Sequence, residues 1–420
     1  MNPTSCDLLV LGARQVLTLD SGEPMPPAAS RLQDCRVVEG GGLAVQDGKI
    51  LALGMDAELE AGFSAKEVLR LQGGVVVPGF VDAHTHPAFA VGRAEEFDWR
   101  AQGMGYVEIA EKGGGILSSV RAVRAVSEPT LGATVAGHFR RMLAHGTTTC
   151  EAKSGYGLST ESELKSLRAI EAAAKETGMQ VRSTFLGGHM VPEEYRDRPD
   201  AYVDLLCQES LPAVAEAGLA TAADVYIEGH AFDLKRSRRY LERAKELGFR
   251  LRVHAEQFEN LGGAAMAVSL GADCADHLEA LDPAGIQAMA ESGKTFAGLL
   301  PAVPHFLRQN VDAPARALLE ADVPYFVATD FNPGTCFCLS IPEALHFARV
   351  RLRFSALEAL AGATVYAAHS LGLGTRKGRL APGWDADFLV LDLPDYHHLG
   401  YAFGENPVAQ VFVGGKATLV

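Results

Sequence analysis

The sequence predicts an α/β fold: a (β/α)8 barrel of the TIM type with a small β-sandwich domain formed by both termini. Short apolar runs alternate with helical stretches between residues 79 and 374, which is typical of parallel barrels. Both ends of the chain instead have the pattern of β structure. We therefore expect residues 1–78 and 375–420 to form the β-sandwich domain and residues 79–374 to form a catalytic barrel domain.

The terminal segments carry strand signals. Residues 7–12 form an apolar run, and residues 43–54 contain two strand-like runs joined at Asp47-Gly48, a dipeptide that favours a hairpin turn. The runs at 380–392 and 411–416 show the same pattern. In the barrel segment, apolar periodicity predicts helices that include 160–177, 236–248 and 283–293.

Two histidines close the first apolar run of the barrel segment. The run starts near Val75 and leads to His84 and His86, which are two residues apart. In a strand, residues i and i+2 face the same side, so both imidazoles can reach one metal ion. For an isolated pair, two hydrogen-bonded histidines without a metal are the alternative, so the interpretation depends on further ligands along the chain.

Three more polar residues, His254, His277 and Asp330, each come directly after an apolar run. Functional residues of a β/α barrel lie at the C-terminal ends of its strands, where these side chains would meet the first two histidines. Imidazole and carboxylate groups suit zinc, iron or manganese. The pattern therefore predicts a hydrolytic site, because such a metal lowers the pKa of bound water from about 15.7 towards about 7.

The order of these residues resembles the amidohydrolase superfamily, whose metal-containing barrels hydrolyse amides, lactams, amidines and amino-substituted rings. Further blocks are similar to the branch of that superfamily that opens an imidazolone ring in histidine degradation; they lie at 92–97, 113–116, 153–157, 185–189, 254–257, 275–279 and 329–335. The resemblance implies hydrolysis of the cyclic amide of 4-imidazolone-5-propanoate to N-formimidoyl-L-glutamate. It also implies a homodimer.

Beside this resemblance, we assign His84, His86, His254 and Asp330 as ligands of one divalent or trivalent metal ion, with zinc and iron as the main candidates. Asp330 has a second carboxylate oxygen that could accept the proton of the attacking water and pass it to the leaving ring nitrogen. His277 is then available to hydrogen-bond the attacked carbonyl group, which it would polarise, or the hydroxide, which it would orient.

The substrate propanoate needs a cation, and Arg93 is the leading candidate because a guanidinium group binds a carboxylate through two hydrogen bonds. An ordinary surface arginine is the alternative. Tyr156 lies between glycines in a loop suited to close ligand approach, and His189 follows an apolar run. Both could hydrogen-bond the substrate, whereas the alternative for Tyr156 is a packed aromatic side chain.

Three further contacts are expected. Tyr106 resembles a tyrosine that contacts substrate in the family, and Gln257 carries the donor and the acceptor that a ring amide requires. The turn that contains Asn332, Gly334 and Thr335 would offer an amide, backbone N–H groups and a hydroxyl to a carboxylate, with a plain turn as the alternative.

Other readings of the sequence remain open. Some amidohydrolases bridge two metals with a carbamylated lysine, and Lys153 occupies a roughly suitable place, although the resemblance favours one metal and a structural role for this lysine. A deaminase of a small ring would use the same metal site but release ammonia. A barrel without catalytic activity is the more distant alternative.

Composition limits the class of protein. The net charge of -14, from 38 basic and 52 acidic residues, argues against nucleic acid or an anionic membrane as the main partner. No apolar stretch approaches the length of a membrane span, and the N-terminus lacks the basic start of a signal peptide. Seven scattered cysteines fit reduced thiols, so we expect a cytoplasmic enzyme that acts on a small molecule.

Overall fold

The structure is a computed structural model that describes residues 3–23, 29–105, 108–109 and 112–418. Eight parallel strands form the barrel and follow one another in chain order. They are β6 (Phe80–Asp82), β7 (Thr147–Lys153), β8 (Gln180–Gly188), β9 (Ala222–Tyr226), β10 (Arg250–Ala255), β11 (Cys274–His277), β12 (Phe296–Leu299) and β13 (Tyr325–Val327).

The other eight strands come from both ends of the chain and form a separate sheet. They are β1 (Thr4–Leu17), β2 (Val37–Gln46), β3 (Lys49–Met55), β4 (Phe63–Arg70), β5 (Val75–Pro78), β14 (Phe388–Leu391), β15 (Val408–Val413) and β16 (Lys416–Thr418). The β2–β3 hairpin turns at Asp47-Gly48 as predicted. The long strand β1 pairs with β2, β4 and β5. The terminal strands therefore belong to one continuous hydrogen-bonded sheet, whereas the sequence predicted a β-sandwich.

Helices connect the strands and cover the barrel. The α-helices are Asp56–Gly62, Ala94–Ala101, Ile116–Ala125, Glu128–Ala144, Thr160–Thr177, Pro199–Leu205, Leu211–Ala217, Leu234–Glu246, Gly263–Leu270, Pro283–Ser292, Ala302–Phe306, Ala315–Glu320, Ile341–Val350, Ala356–Gly362 and Val365–Ser370. Short 3-10 helices lie at Ala29–Asp34, Glu193–Tyr195 and Tyr396–His398, and a π-helix lies at Leu206–Ser210. The three helices predicted from periodicity are confirmed to within two residues at each end.

The barrel strands are mostly buried along their whole length, because helices pack on their outer face and side chains fill the interior. Parallel strands in this setting read as continuous apolar runs, which is why the sequence pattern predicted the architecture. The predicted fold class, a TIM-type barrel with a smaller β domain from the termini, is confirmed.

Backbone hydrogen bonds just beyond β6 and β13 join the first and last strands of the barrel. Thr85 forms a parallel bridge with Phe331, the amide of His86 donates to the Phe331 carbonyl at 2.8 Å, and the amide of Asp330 donates to the His84 carbonyl at 3.1 Å. We call residues 84–86 with 330–331 the closing seam. The closing seam contains three of the four residues predicted to bind metal.

The two sheets meet at a single residue, Gly79, which separates β5 from β6. On the other side, β5 pairs with β14 in antiparallel register, with Val77 opposite Leu389, so the two ends of the chain share one sheet. We propose that the domain boundaries lie near Gly79 and near residue 375, where the chain leaves and rejoins this sheet. Within the described ranges, no helix combines the length and apolar character needed to cross a membrane.

Candidate metal centre and substrate cavity

His84, His86, His254 and Asp330 converge inside the barrel mouth. The Nε2 atom of His86 lies 3.2 Å from Nε2 of His84 and 3.3 Å from Nε2 of His254. Oδ1 of Asp330 lies 3.4 Å from Nε2 of His84 and 3.3 Å from Nε2 of His86. All four residues are buried.

These separations fit a metal ion. Two ligand atoms of a tetrahedral zinc site, each about 2.0–2.1 Å from the ion, lie about 3.3–3.4 Å apart, which these four separations match. The ligand atoms of His84, His86 and Asp330 form one group within 4.8 Å, and those of His84, His254 and His277 form another. His84 and His254 use Nδ1 to donate to carboxylates, which leaves Nε2 of each ring as the nitrogen that can bind a metal ion. Asp330 Oδ1 has no hydrogen-bond partner among the described residues. Donor atoms held this close are arranged as the ligands of one cation would be.

His84 and His86 lie beyond β6, which ends at Asp82, and not within a strand as the period-two argument assumed. The bridge of Thr85 to Phe331 keeps this segment extended, so the two rings still face the same side. Asp82 strengthens the closing seam, because its carboxylate accepts hydrogen bonds from the amide and the hydroxyl of Thr329 at 3.1 and 2.6 Å.

Two buried aspartates orient the imidazole rings of His84 and His254. Asp276 accepts from Nδ1 of His84 at 2.6 Å, and Asp224 accepts from Nδ1 of His254 at 3.0 Å. Burial alone would raise the pKa of both carboxyl groups, but nearby cationic and imidazole groups, led by Arg252 for Asp276 and by His254 for Asp224, lower both pKa values below the usual range. Both groups are therefore carboxylates, which fix the imidazole tautomers and increase the basicity of Nε2.

Lys153 lies beneath the metal centre in a salt-bridge network. Its Nζ lies 2.8 Å from Oε1 of Glu151 and 2.8 Å from Oδ2 of Asp224, and its side chain is fully buried. Burial would lower the pKa of Lys153, but Asp224 and Glu151 raise it above its usual value. An ammonium group held in this way compensates Asp224 and is poorly suited to carbamylation, which requires a neutral amine.

Arg252 completes the network on the other side. Its Nη2 donates to the carbonyl of Ala83 at 2.8 Å and lies 3.5 Å from Oδ2 of Asp276. The guanidinium group thus contacts both the backbone that precedes His84 and the carboxylate that orients the His84 ring.

A cavity opens above the candidate metal centre. It is lined by the predicted residues His86, Arg93, Tyr156, His189, His254, Gln257, His277, Asp330, Asn332 and Thr335, and also by Ile116, Tyr226 and Phe258. Sequence reasoning did not single out the last three. Tyr106 lies outside the described residues, so its predicted role stays a prediction.

Arg93 enters this cavity with unused hydrogen-bonding capacity. Its side chain is 7% exposed, and its Nη1 lies 3.7 Å from Oε2 of Glu96. Its Nε has no partner among the described residues. A Cβ atom added to Gly334 would lie 1.6 Å from Nη2 of Arg93. Gly334 therefore leaves the space in which the guanidinium group lies, and its expected contact with a ligand stays a prediction.

The Asn332 side chain holds its own turn together. Its Oδ1 accepts hydrogen bonds from the amides of Gly334 at 2.9 Å and Thr335 at 2.7 Å, and from the Thr335 hydroxyl at 3.0 Å. Its Nδ2 donates to the carbonyl of Asp330 at 2.7 Å. The amide, backbone N–H groups and hydroxyl that were expected to serve a ligand are engaged within the turn, which fixes the backbone beside Asp330.

A buried carboxylate also shapes the loop of Tyr156. Glu163, near the start of the helix Thr160–Thr177, accepts from the amides of Gly155, Gly157 and Leu158 at 2.7–2.9 Å. The sequence offered one signal for this contact, an acidic residue in the first turn of a helix directly after a glycine-rich loop.

The predicted residues His189 and Gln257 each have one side-chain atom engaged in a hydrogen bond. Nδ1 of His189 lies 2.9 Å from the Gly155 carbonyl and must donate to it, so Nε2 of the neutral ring is an acceptor. The His189 ring stacks on His86 at 5.3 Å. Oε1 of Gln257 accepts from the Tyr226 hydroxyl at 2.8 Å, which fixes the orientation of the Gln257 amide.

His277 is buried on the cavity wall, with its ring centre 5.4 Å from that of His254 and 5.7 Å from that of His84. Its φ of 81° lies in the left-handed region, which is strained for a residue with a side chain. Asp330 has a φ of 49°. The positions expected to act on the substrate thus carry backbone strain.

Comparisons with known proteins agree with this geometry. A family model described as the amidohydrolase family matches residues 75–418. The chain is 44% identical to the imidazolonepropionase of Symbiobacterium thermophilum, over 98% of this chain and 96% of that protein. It is 46% identical to the imidazolonepropionase of Rubrobacter xylanophilus, over 91% and 92% of the two chains.

Solved structures share the fold at lower identity. A zinc-bound adenosine deaminase from Xanthomonas campestris is 21% identical, with a TM-score of 0.72 and coverage of 100% of this chain and 94% of that one. The guanine deaminase of E. coli is 18% identical, with a TM-score of 0.75 and coverage of 98% and 99%. These likenesses support the architecture alone.

We predict that Asp276→Asn weakens metal binding by about 10- to 100-fold, because the amide cannot act as the charged acceptor for His84 Nδ1. Competition with a chromophoric chelator measures the metal affinity of each variant. The matched control is Asp273→Asn, just before β11, where the carboxylate pairs with Arg250 at the barrel edge. Equal metal affinity in the two variants would contradict the role of Asp276.

Proposed function

The chain belongs to the amidohydrolase family, and from that premise we propose that it hydrolyses the cyclic amide bond of 4-imidazolone-5-propanoate to N-formimidoyl-L-glutamate. Its relatives at 44% identity over nearly the whole chain are imidazolonepropionases. The observation that carries the substrate assignment is one cavity lined both by the proposed metal ligands His86, His254 and Asp330 and by Arg93, a buried guanidinium group whose Nε has no partner in the described part of the chain.

We propose one metal ion per chain, held by His84, His86, His254 and Asp330, with zinc or iron as the candidates. When bound, such an ion is a Lewis acid that lowers the pKa of water and so supplies a nucleophile near neutral pH. The engagement of Lys153 with Glu151 and Asp224 supports one ion over a lysine-bridged pair.

The cavity residues hold the substrate by its two ends. Arg93 binds the propanoate, since its Nε and Nη groups can form paired hydrogen bonds with a carboxylate. Tyr156, His189 and Gln257 surround the ring, and His189 Nε2 can accept from a ring N–H. Asn332, Gly334 and Thr335 keep the Arg93 and Asp330 backbones in place, and we propose a substrate contact for Tyr106 from family resemblance alone.

Proton transfer falls to Asp330 and His277. The water oxygen bonds to the ring carbonyl carbon, and Asp330 accepts the water proton through Oδ2. Its other oxygen, Oδ1, faces the Nε2 atoms of His84 and His86. His277 donates a hydrogen bond to the carbonyl oxygen as negative charge develops there. The bond between the carbonyl carbon and the ring nitrogen then breaks, and Asp330 returns the proton to the nitrogen.

The setting of the enzyme is proposed on separate grounds. All seven cysteines are free, which suits a compartment that keeps thiols reduced, and we propose the cytoplasm. Family resemblance supports a homodimer. The proposed substrate is a small molecule.

The reaction is tested with purified, metal-loaded protein and synthetic imidazolone propanoate. We expect loss of the imidazolone absorbance with one N-formimidoyl-L-glutamate formed per substrate and no ammonia. Release of ammonia in step with substrate loss would instead identify a deaminase. Metal-loaded protein that leaves the imidazolone unchanged would refute the proposed function.

Asp330→Asn should lower kcat by about 10²- to 10⁴-fold, because the amide cannot accept the water proton. Activity is measured beside metal content, since Asp330 is also a proposed ligand. Asp322→Asn, at an exposed position before β13, is the control and should keep full activity. Near-normal turnover of metal-loaded Asp330→Asn protein would show that another group accepts the proton.

Arg93→Ala and Gly334→Ala should both raise KM by about 10- to 100-fold, because the first removes the guanidinium group and the second displaces it. Metal content should not change in either variant. Gly137→Ala is the control, since a Cβ there meets no other atom within 4 Å and alanine suits its helix. If KM is unchanged in Gly334→Ala, Arg93 does not bind the substrate in the position that it occupies here.

A further inference from the structure

One buried carboxyl group on the cavity side of the barrel has no part in the steps above. Glu279 follows β11 by two residues, and its side chain is 4% exposed. Its Oε2 lies 3.9 Å from Nδ1 of His277. Neither of these two atoms has a hydrogen-bond partner within the described part of the chain. Two unpaired buried polar atoms that face each other are unusual, because such groups are costly to leave unsatisfied.

The backbone brings the two side chains together. His277 and Leu278 have φ values of 81° and 73°, so the chain folds back directly after β11. The amide of Leu278 donates to the Ala255 carbonyl at 3.1 Å, and the amide of Ala280 donates to the Glu256 carbonyl at 2.7 Å. These bonds to the end of β10 fix the turn, so the approach of residues 277 and 279 is a built feature of the barrel rim.

The surroundings of Glu279 favour its neutral form. Burial raises the pKa of the Glu279 carboxyl to about 8, and the nearby carboxylates of Asp330, Asp312 and Glu228 act in the same direction, while its own backbone amide opposes them. No lysine or arginine forms a salt bridge with it among the described residues. A carboxylic acid in this position is a hydrogen-bond donor.

We propose that Glu279 is a positioning residue that donates its carboxyl hydrogen to Nδ1 of His277 and thereby keeps the ring hydrogen of His277 on Nε2. The hydrogen bond requires the separation of 3.9 Å to shorten by about 1 Å. Nε2 is the ring nitrogen left for the cavity, and its hydrogen is the one that polarises the substrate carbonyl. This role rests on the proposed function, because it gives His277 the donor that ring opening needs.

The neighbouring His189 has the opposite arrangement. Its Nδ1 donates to the Gly155 carbonyl, so its Nε2 is an acceptor. The cavity then presents one imidazole donor, set by Glu279, and one imidazole acceptor, set by a backbone carbonyl. A cyclic amide, which offers a carbonyl oxygen and an N–H, matches this pair.

Two variants of Glu279 separate the proposed role from simple packing. In Glu279→Gln the amide can still donate to Nδ1, so we expect kcat within about fivefold of the unmodified enzyme. Glu279→Leu fills a similar volume without a donor, and we expect kcat to fall about 10- to 100-fold with KM and metal content unchanged. The melting temperature of the leucine variant should not fall, since a buried polar atom has been removed.

A double variant tests whether Glu279 acts through His277. If it does, His277→Ala/Glu279→Leu should be no slower than His277→Ala alone. Independent, multiplicative losses would overturn the proposal, as would a leucine variant with full kcat or a glutamine variant as slow as the leucine one.

Nitrogen NMR of the metal-loaded protein with labelled histidine gives a readout that does not depend on activity. We expect the His277 ring to carry hydrogen on Nε2, and the His189 ring on Nδ1 to serve as the internal reference. The His277 signal should lose this preference in Glu279→Leu, and an unchanged tautomer would overturn the proposal. A protein inactive on the imidazolone would refute the proposed function, while this measurement would still judge the contact between Glu279 and His277.

Discussion

The backbone hydrogen bonds of the closing seam determine where the metal centre can form. Residues 84–86 and 330–331 complete the barrel and also carry three of the four proposed metal ligands, so barrel closure also brings these side chains together. The Asp82 contact to Thr329 anchors both segments one step earlier along their strands. A ligand set built in this way is rigid, because each donor sits next to a backbone group that is already paired across the barrel.

Around this seam, charge is organised in layers. The imidazoles of His84 and His254 contact carboxylates, and those carboxylates contact Arg252 or Lys153. Burying so many ionised groups is costly, and the cost is offset only where each charge meets an opposite one. The layers therefore keep Asp224 and Asp276 ionised in the barrel interior, where burial alone would raise their pKa values, and fix the imidazole nitrogens that face the proposed metal site.

The fold class and the convergence of His84, His86, His254 and Asp330 could be predicted because both depend on local patterns: apolar runs for strands, and polar residues placed directly after them. The partners of those residues could not. Asp224 and Asp276 lie inside runs that read as plain strand, and their roles depend on which strands are neighbours in the barrel. The same holds for Glu279, whose contact with His277 depends on a left-handed turn that sequence spacing does not reveal. The turn of Asn332 shows a second limit of sequence analysis. Its polar groups suggested a ligand site, but in the structure they hydrogen-bond to one another.

The pairing of β5 with β14 has a consequence for how the chain is made. The ribosome releases the apolar residues Val75–Pro78 before the barrel is translated, yet their neighbour Phe388–Leu391 emerges only after it. During that interval, the edge of β5 that pairs with β14 has no partner strand. Exposed strand edges of this kind promote association with other chains. Chaperone contact is therefore expected at this segment during translation, and it should end when the last strands join the sheet.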